Sequence, residues 1–178
     1  MLKVLRRTSP FILSVILVSC SSYVPSYTEK QNCCELFKTN FSWYKAARAS
    51  RDEWGVPIPL QLAIIFQESS FKYNAAPDRN YLLGFIPWSR KSSAYGYAQV
   101  LKGTWSEYEK ERPGFLISKS RNSFDHSTDF IGWYLHKASI KLGVNIDDAY
   151  SLYLAYHERI NGYKQKTYLK KPGLMRIA

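Results

Sequence analysis

Cysteine, histidine and long apolar runs are scarce in this sequence, and each scarcity excludes certain kinds of site or structure. The 178 residues include only 3 cysteines and 3 histidines. Cys33 and Cys34 are neighbours, and a disulfide ring closed between adjacent residues is strained. Two states of Cys33 and Cys34 therefore stay open: disulfides between two molecules, and free thiols. A zinc site needs about four donors at suitable spacing, and no such pattern occurs, so we predict no metal and no cofactor.

Alternation of valine and isoleucine at strand period is also nearly absent, which argues against an all-β fold. Apolar residues recur at helical spacing instead, in segments bounded by glycine or proline. The predicted helices cover residues 43–54, 60–71, 104–112, 125–142 and 147–157. Residues 72–98 hold the turn-forming residues, and a loop of this length is often functional. We therefore predict a mainly α fold with at most a small hairpin in that loop.

The sequence also predicts the ends and the buried residues of two of these helices. Ser42 is a candidate cap of the first predicted helix, and Gly55 is its expected end. In the helix over 125–142, we expect apolar residues that include Trp133 and Ile140 to be buried, and Gly143 to end the helix.

The first residues have the pattern of an export signal. Lys3, Arg6 and Arg7 precede a short apolar run over residues 11–18 (FILSVILV), and Cys20 closes the segment. Such a run is too short to cross a bilayer, which takes about 18 or more apolar residues. Ser19 followed by Cys20 resembles the bacterial lipobox, in which the cysteine is acylated. An ordinary signal peptide with a chance cysteine is the alternative.

These features predict how the chain is organised and where it lies. Residues 1–19 are expected to be a lipoprotein signal peptide, and residues 20–40 a lipidated N-terminus and flexible tether, since residues 21–31 are polar and lack a helical period. Residues 41–178 are expected to form one domain. The protein is predicted to be lipid-anchored at Cys20 in the bacterial envelope, facing the periplasm. The serine after Cys20 suits outer-membrane sorting.

The charge balance is strongly basic, with 25 Lys and Arg against 14 Asp and Glu. A basic surface suits a polyanion, which includes nucleic acid, acidic lipid headgroups and an acidic cell-wall polymer. An export signal makes nucleic acid the least fitting of these. Aromatic residues make up 16% of the chain; they suit either a core or a groove that stacks against sugar rings.

Glu68 is the residue most indicative of chemistry. It follows the apolar stretch 62–66 and precedes the long irregular loop. A carboxyl group at the end of a buried helix is partly desolvated, which raises its pKa and lets it donate a proton near neutral pH. The alternative is a helix-terminal glutamate with its carboxylate in solvent.

Three motifs then occur in the order found in the soluble lytic transglycosylase (SLT) family. Residues 67–71 (QESSF) resemble the first motif, a glutamate–serine pair that ends a buried helix. Residues 95–100 (YGYAQV) resemble the second, a glycine, then two other residues, then a glutamine. Ala155 and Tyr156 on a late helix resemble the third. The resemblance covers about residues 41–163 and implies a lysozyme-like, goose-type helical domain.

The resemblance also implies an activity and a role for each matched residue. The family cleaves peptidoglycan between MurNAc and GlcNAc and leaves 1,6-anhydro-MurNAc ends. Glu68 would be the catalytic acid and base, and Ser69 would hydrogen-bond near it or the sugar. Gly96 would let backbone approach the glycan, Gln99 would donate to the glycan, and the Tyr156 hydroxyl would point toward the catalytic carboxylate.

The sequence departs from the family pattern in two places. Beyond Tyr156 the family has Asn-Ala-Gly, whereas this chain has His157 and Glu158, of which Glu158 is expected to be solvated. The apolar insert over residues 82–88 is longer than the usual loop and would be either a lid or a docking site for an envelope protein. For Trp88, stacking on a sugar and a role in the core or as a hinge both stay open.

Two other functions stay open from the sequence. A hydrolytic muramidase needs a second carboxylate about 5–9.5 Å from the first, and Asp78 is the candidate. A catalytically silent lipoprotein that only binds peptidoglycan would also account for the basic charge and the aromatic residues.

Overall fold

The computed structural model describes residues 23–112 and 119–178, so the predicted signal peptide and Cys20 lie outside the described residues. The helices are α1 Tyr27–Gln31, α2 Cys33–Thr39, α3 Phe41–Trp54, α4 Ile58–Ser69, α5 Lys102–Glu111, α6 Phe124–Leu142, α7 Ala149–Lys164 and α8 Pro172–Ile177. Strands β1 Arg79–Leu82 and β2 Ile86–Arg90 form one antiparallel hairpin, and a 3₁₀ helix spans Thr167–Lys170. Within the described ranges, no helix combines the length and apolarity needed to cross a membrane.

The first two helices correct the expectation of a flexible tether. The Ser26 side chain accepts from the backbone N–H of Glu29 while the Glu29 carboxylate accepts from the backbone N–H of Ser26, which is a capping box that starts α1. Leu36 of α2 is 1% exposed and belongs to the core. Tyr23 packs edge-on against Trp43, with ring centroids 5.6 Å apart. The segment from Tyr23 to the start of α3 is therefore folded onto the domain.

Helices α3 and α4 lie where the sequence predicts helices and are joined by a buried amide. α3 ends at Gly55, whose φ of 75° is the left-handed conformation that glycine adopts at helix ends. Its start differs from the prediction: it begins after Asn40 rather than Ser42, without a side-chain cap. The Gln61 side chain is 0% exposed, and its Nε2 donates to the carbonyl oxygens of Ala47 (3.2 Å) and Val56 (3.0 Å). These bonds hold α4 against α3.

Helix α6 is the centre of the core. Its Phe124 ring stacks on Trp43 of α3 at a centroid distance of 4.1 Å. The Ser50 hydroxyl donates to the Thr128 carbonyl oxygen at 2.8 Å, which brings the two helices close together. Burial of Trp133 was expected and is observed, but the expected burial of Ile140 is wrong, since it is 70% exposed. It lies two residues, about 200° of helical rotation, beyond the buried Ala138 and so points to the opposite face.

A charged cluster anchors α5 to α3 and α6. The Asp129 carboxylate accepts from Trp54 Nε1 at 2.8 Å, from Arg112 at 2.9 Å and from the Tyr108 hydroxyl. Burial alone would raise the pKa of Asp129, but these hydrogen bonds outweigh it and lower the pKa. Because a partly buried carboxylate is tolerated only when it is paired, this cluster holds the C-terminal end of α5 against α3 and α6.

Candidate active site

A cleft of about 330 Å³ opens where α4 ends. Five different parts of the chain contribute to its walls: Glu68 from α4, Gln99 from the turn over residues 95–100, Thr104 from α5, Phe130 from α6 and Tyr156 from α7. The cleft thus brings together one residue from each of the three matched motifs.

Glu68 lies in the last turn of α4, half-buried in the cleft wall. The helix stops directly after it because Ser70 and Phe71 both have positive φ, 50° and 61°. Phe71 is 1% exposed and stacks against Trp43 at 5.8 Å, which holds this turn in place. Burial raises the pKa of Glu68 to about 7. A carboxyl group with this pKa exists in both protonation states near neutral pH, as a residue that first donates and then accepts a proton requires.

Tyr156 lies beside Glu68, but its hydroxyl proton has another partner. The hydroxyl donates to the Ala98 carbonyl oxygen at 2.7 Å, and the ring packs edge-on against Tyr134 at 5.4 Å. Burial first, and then the charge of Glu68, raise the pKa of Tyr156 well above its usual value. Since the single hydroxyl proton is used by Ala98, Tyr156 can only accept a hydrogen bond from a protonated Glu68 or from a sugar hydroxyl.

Gln99 lines the cleft, but the donors of its side-chain amide are used by the backbone. Its Nε2 donates to the carbonyl oxygens of Ala75 at 2.8 Å and Gly96 at 2.9 Å. Both partners are acceptors, so the nitrogen must face them, and both of its N–H groups are used. The expectation that Gln99 donates to the glycan therefore does not fit this geometry. Its Oε1 remains as an acceptor for a sugar hydroxyl.

Gly96 supports the turn from behind rather than lining the cleft. Its φ is 78°, and a Cβ at this position would collide with the carbonyl group of Arg121. Its backbone N–H donates to the Ala75 carbonyl oxygen at 2.9 Å. The glycine is needed because the backbone of residue 121 approaches it closely, not because a glycan does.

Ser69 also points away from the cleft. Its side chain is buried, with the residue 6% exposed, and its hydroxyl donates to the Ile65 carbonyl oxygen of the preceding helical turn at 3.0 Å. This is the usual back-bond of a serine in a helix. In this arrangement Ser69 contacts α4 itself and not the Glu68 carboxylate.

The residues after Tyr156 form a buried ionic network that the sequence did not suggest. The Glu158 side chain is 4% exposed and accepts from Lys171 at 2.6 Å and from the Thr167 hydroxyl, and lies 3.0 Å from His157 Nδ1. Burial alone would raise the pKa of Glu158, but these partners lower it to about 2. The expectation of a solvated Glu158 is wrong because the C-terminal segment from residue 167 folds back over it.

Arg159, the next residue, carries the one strained backbone inside a described helix. Its φ of 63° and ψ of 162° interrupt α7, and these angles lie in a region that only glycine adopts readily. The kink places Arg159 on the cleft wall, where its guanidinium adds a positive charge. Sequence reasoning missed this residue; the departure from the family pattern at residue 157 was the available signal.

The remaining candidate groups lie away from the cleft. Asp78 is exposed and does not line it, and Trp88 is 61% exposed on the hairpin. Cys33 and Cys34 are exposed free thiols on α2. Across residues 23–112 and 119–178, no group of three or more His, Cys, Asp or Glu side chains could hold a metal ion.

A family model described as a transglycosylase SLT domain matches residues 8–178. The chain belongs to the SLT domain family. Comparison with curated proteins and with solved structures found no match. Family membership confirms the predicted mainly α, lysozyme-like fold, to which the eight described helices and the small hairpin correspond. It also makes peptidoglycan the substrate class of this SLT domain and lytic transglycosylation the family's general activity.

Proposed function

We propose that this SLT domain is an active lytic transglycosylase that cleaves the bond between MurNAc and GlcNAc, with Glu68 as the only catalytic acid and base. The observation that carries the proposal is the position of Glu68, half-buried in the cleft wall, where burial raises its pKa to about 7. Among the described residues, no other carboxylate lines that cleft. A single carboxyl group suits a reaction that needs no activated water.

The proton and electron pairs balance without a second acid. The protonated Glu68 gives its proton to the glycosidic oxygen, the bond from C1 of MurNAc to that oxygen breaks, and GlcNAc leaves with a free hydroxyl. The Glu68 carboxylate then takes the proton from the C6 hydroxyl of MurNAc while this oxygen bonds to C1. The products are a 1,6-anhydro-MurNAc end and Glu68 in its original protonated form, so no water is consumed.

The cleft residues support both steps through position and charge. Tyr156 and Gln99 each donate into the backbone of the 75–98 region, which leaves their oxygens as acceptors for sugar hydroxyls. Because each is held by a hydrogen bond before substrate arrives, little side-chain ordering remains to be lost on binding. The Arg159 guanidinium on the same wall suits the carboxylates of the peptide stems of peptidoglycan.

The muramidase alternative is less well supported because, among the described residues, no second carboxylate lines the cleft. Asp78 is exposed in the segment before β1 and is not part of the cleft. A hydrolytic enzyme would need such a group on the other side of the sugar ring to activate water.

Digestion of purified peptidoglycan, followed by mass spectrometry of the released muropeptides, tests the proposal. We expect anhydro ends from the wild type, no release by Glu68→Gln, and wild-type release by the matched variant Asp78→Asn. Glutamine keeps the shape of Glu68 but has no titratable proton, so Glu68→Gln should still bind peptidoglycan in a pull-down. Reducing ends would establish a muramidase instead. If the wild type releases no products, the protein is a catalytically silent lipoprotein that only binds peptidoglycan.

We also propose that the protein is lipid-anchored through Cys20 and faces the periplasm, on the outer membrane. The support is the leader pattern, in which a basic start, a short apolar run and Ser19 precede Cys20. In cells that export the protein, Cys20→Ser should lose incorporation of labelled fatty acid and leave the membrane fraction. Unchanged fractionation and no label on the wild type would contradict the anchor.

A further inference from the structure

The β1–β2 hairpin exposes an unusual amount of apolar surface. Every residue of both strands is exposed, on both faces of the hairpin. Six large apolar side chains lie within eight residues, with exposed fractions of 57% for Tyr81, 47% for Leu82, 76% for Leu83, 72% for Phe85, 40% for Ile86 and 61% for Trp88. A contiguous exposed patch of this kind marks an interaction surface. We call residues 81–88 the hairpin tip.

The hairpin tip does not form part of the cleft. None of its side chains lines the cleft, and the nearest contributions come from Ser92 and Ala94, after β2 has ended. A lid that grips the glycan would place aromatic faces toward Glu68. The tip instead projects its apolar groups into the surroundings, which disfavours the lid that the sequence left open.

Positive charge is concentrated at the base of the hairpin. Arg79 and Arg90 are paired across the two strands, and Lys91 follows directly. One acidic residue, Asp78, directly precedes β1, and none occurs over residues 79–94. Two like charges placed opposite each other destabilise a hairpin, and an anionic surface near the base would remove that repulsion. Arg90 Nη1 also donates to the Pro77 carbonyl oxygen at 2.6 Å, and this hydrogen bond holds the guanidinium at the base of the hairpin.

We propose that the hairpin tip inserts into the interfacial layer of a membrane that contains anionic lipids. Apolar side chains at the turn would enter the acyl boundary, and Tyr81 and Trp88 would lie at the level of the headgroups, where such rings are enriched in membrane proteins. Arg79, Arg90 and Lys91 would contact lipid phosphates. An apolar end with a cationic base is the arrangement that interfacial binding requires.

The folded N-terminal segment brings the domain within reach of such a membrane. Tyr23 is packed against Trp43, so only three residue steps separate Cys20 from the folded domain. A fully extended chain covers about 3.5 Å per residue, or about 10 Å over this distance. If Cys20 carries the lipid, as proposed above, the domain lies against the bilayer rather than at the end of a long tether. The apolar hairpin tip itself is independent of that anchor.

Vesicle binding by residues 23–178 tests the proposal without the leader or the anchor. This segment retains every residue of the described core, from Leu36 to Leu174, and circular dichroism checks that it is folded. Co-sedimentation uses vesicles of phosphatidylglycerol mixed with phosphatidylcholine, and vesicles of phosphatidylcholine alone. We expect binding to the anionic vesicles, weaker binding to the neutral ones, and a blue shift in fluorescence that is lost in Trp88→Phe.

The decisive comparison is between two double variants that remove similar apolar surface. Leu83→Asn with Phe85→Ser removes the most exposed side chains of the hairpin tip. Ile140→Ser with Leu169→Ser is the matched control. Ile140 on α6 is 70% exposed and Leu169 on the 3₁₀ helix is 58% exposed, and neither belongs to the hairpin. We expect the tip variant to lower the partition coefficient by about tenfold or more and the control variant to bind as the wild type does.

Three outcomes would overturn the proposal: no binding of the wild type to anionic vesicles, an equal loss in both double variants, or a tip variant that loses peptidoglycan binding while vesicle binding is unchanged. The last would make the tip a glycan-binding lid. Glu68→Gln should bind vesicles as the wild type does, and the tip variant should release the same muropeptides. Failure of the membrane proposal and failure of the catalytic proposal can therefore be told apart.

Discussion

The Tyr156 hydroxyl and the Ala98 carbonyl oxygen are joined by a 2.7 Å hydrogen bond across 58 residues of sequence. This bond connects α7 to the turn that carries Gln99, so it holds two walls of the cleft together. The tyrosine therefore orders the site whether or not it touches the sugar.

Replacing Tyr156 with phenylalanine should weaken catalysis more than folding. The variant loses one hydrogen bond of about 1 kcal/mol and leaves the Ala98 carbonyl without its side-chain donor. We expect a loss of about tenfold in the rate of muropeptide release, measured by chromatography, with a small decrease in Tm. Tyr150→Phe is the matched control, since Tyr150 is on the same helix but 45% exposed. Equal rates for both variants would show that the bond does not order the cleft.

The raised pKa of Glu68 predicts how stability depends on pH. Burial raises it from 4.5 to about 7, so between these values the folded state holds a proton that the unfolded state releases. Stability from this group is full below about pH 4.5 and is lost as the pH rises toward about 7, by at most about 3 kcal/mol. Glu68→Gln, which stays neutral, should be more stable than the wild type at about pH 8 and gain nothing at about pH 4.

Thermal unfolding of both proteins across this pH range measures the effect. Asp78→Asn is the control because Asp78 is exposed, and its difference from the wild type should not follow the same curve. If the Tm difference between Glu68→Gln and the wild type is constant from about pH 4 to about pH 8, the carboxyl group is not desolvated in the folded protein.

Gly96 and Gly84 allow backbone strain to be separated from a steric collision. Both have positive φ, 78° and 81°, but a Cβ at Gly96 would collide with Arg121 whereas Gly84 has open space around it. Gly84→Ala should lower the free energy of unfolding by about 1 kcal/mol, because alanine disfavours the left-handed conformation. Gly96→Ala should cost clearly more, about 3 kcal/mol or above, in urea unfolding. Similar losses would mean that the approach of residue 121 is not tight.

The Glu158 network predicts the opposite pH behaviour to Glu68. Its pKa is lowered to about 2, so the stability it provides is present above about pH 4.5 and is lost as the pH falls toward about 2. Glu158→Gln should lower the free energy of unfolding by about 1–2 kcal/mol at neutral pH, discounted because its partner Lys171 is half exposed. The difference should shrink on acidification, as followed by chemical denaturation.

A surface ion pair provides the control for this experiment. Glu35 binds Lys38 at 2.7 Å, but both side chains are largely exposed. Exposed pairs contribute about 0–1 kcal/mol, so Glu35→Gln should be close to neutral. If Glu158→Gln is equally mild, the C-terminal segment does not depend on the network.

Local sequence signals predicted five of the eight described helices, because helix ends depend on neighbouring residues. Gly55 and Gly143 end α3 and α6 in the left-handed conformation, as their positions indicated. The missed helix α1 also had a local signal, since Ser26 and Glu29 have the spacing of a capping box. The prediction of a flexible tether relied on the polar composition of the segment and gave too little weight to this capping box, which starts a helix in the structure.

The order of the motifs in the sequence predicted that Glu68, Gln99 and Tyr156 belong to one site, and all three line the same cleft. Apolar periodicity determined a helical domain. Only the tertiary structure decided what each side chain contacts. It directs the donors of Gln99 and Tyr156 to backbone carbonyls, turns Ser69 into its own helix and covers Glu158 with the C-terminal segment. The physical reason is that helix formation depends on neighbouring residues, whereas the partner of a buried polar group is selected by packing between segments that are remote in the chain.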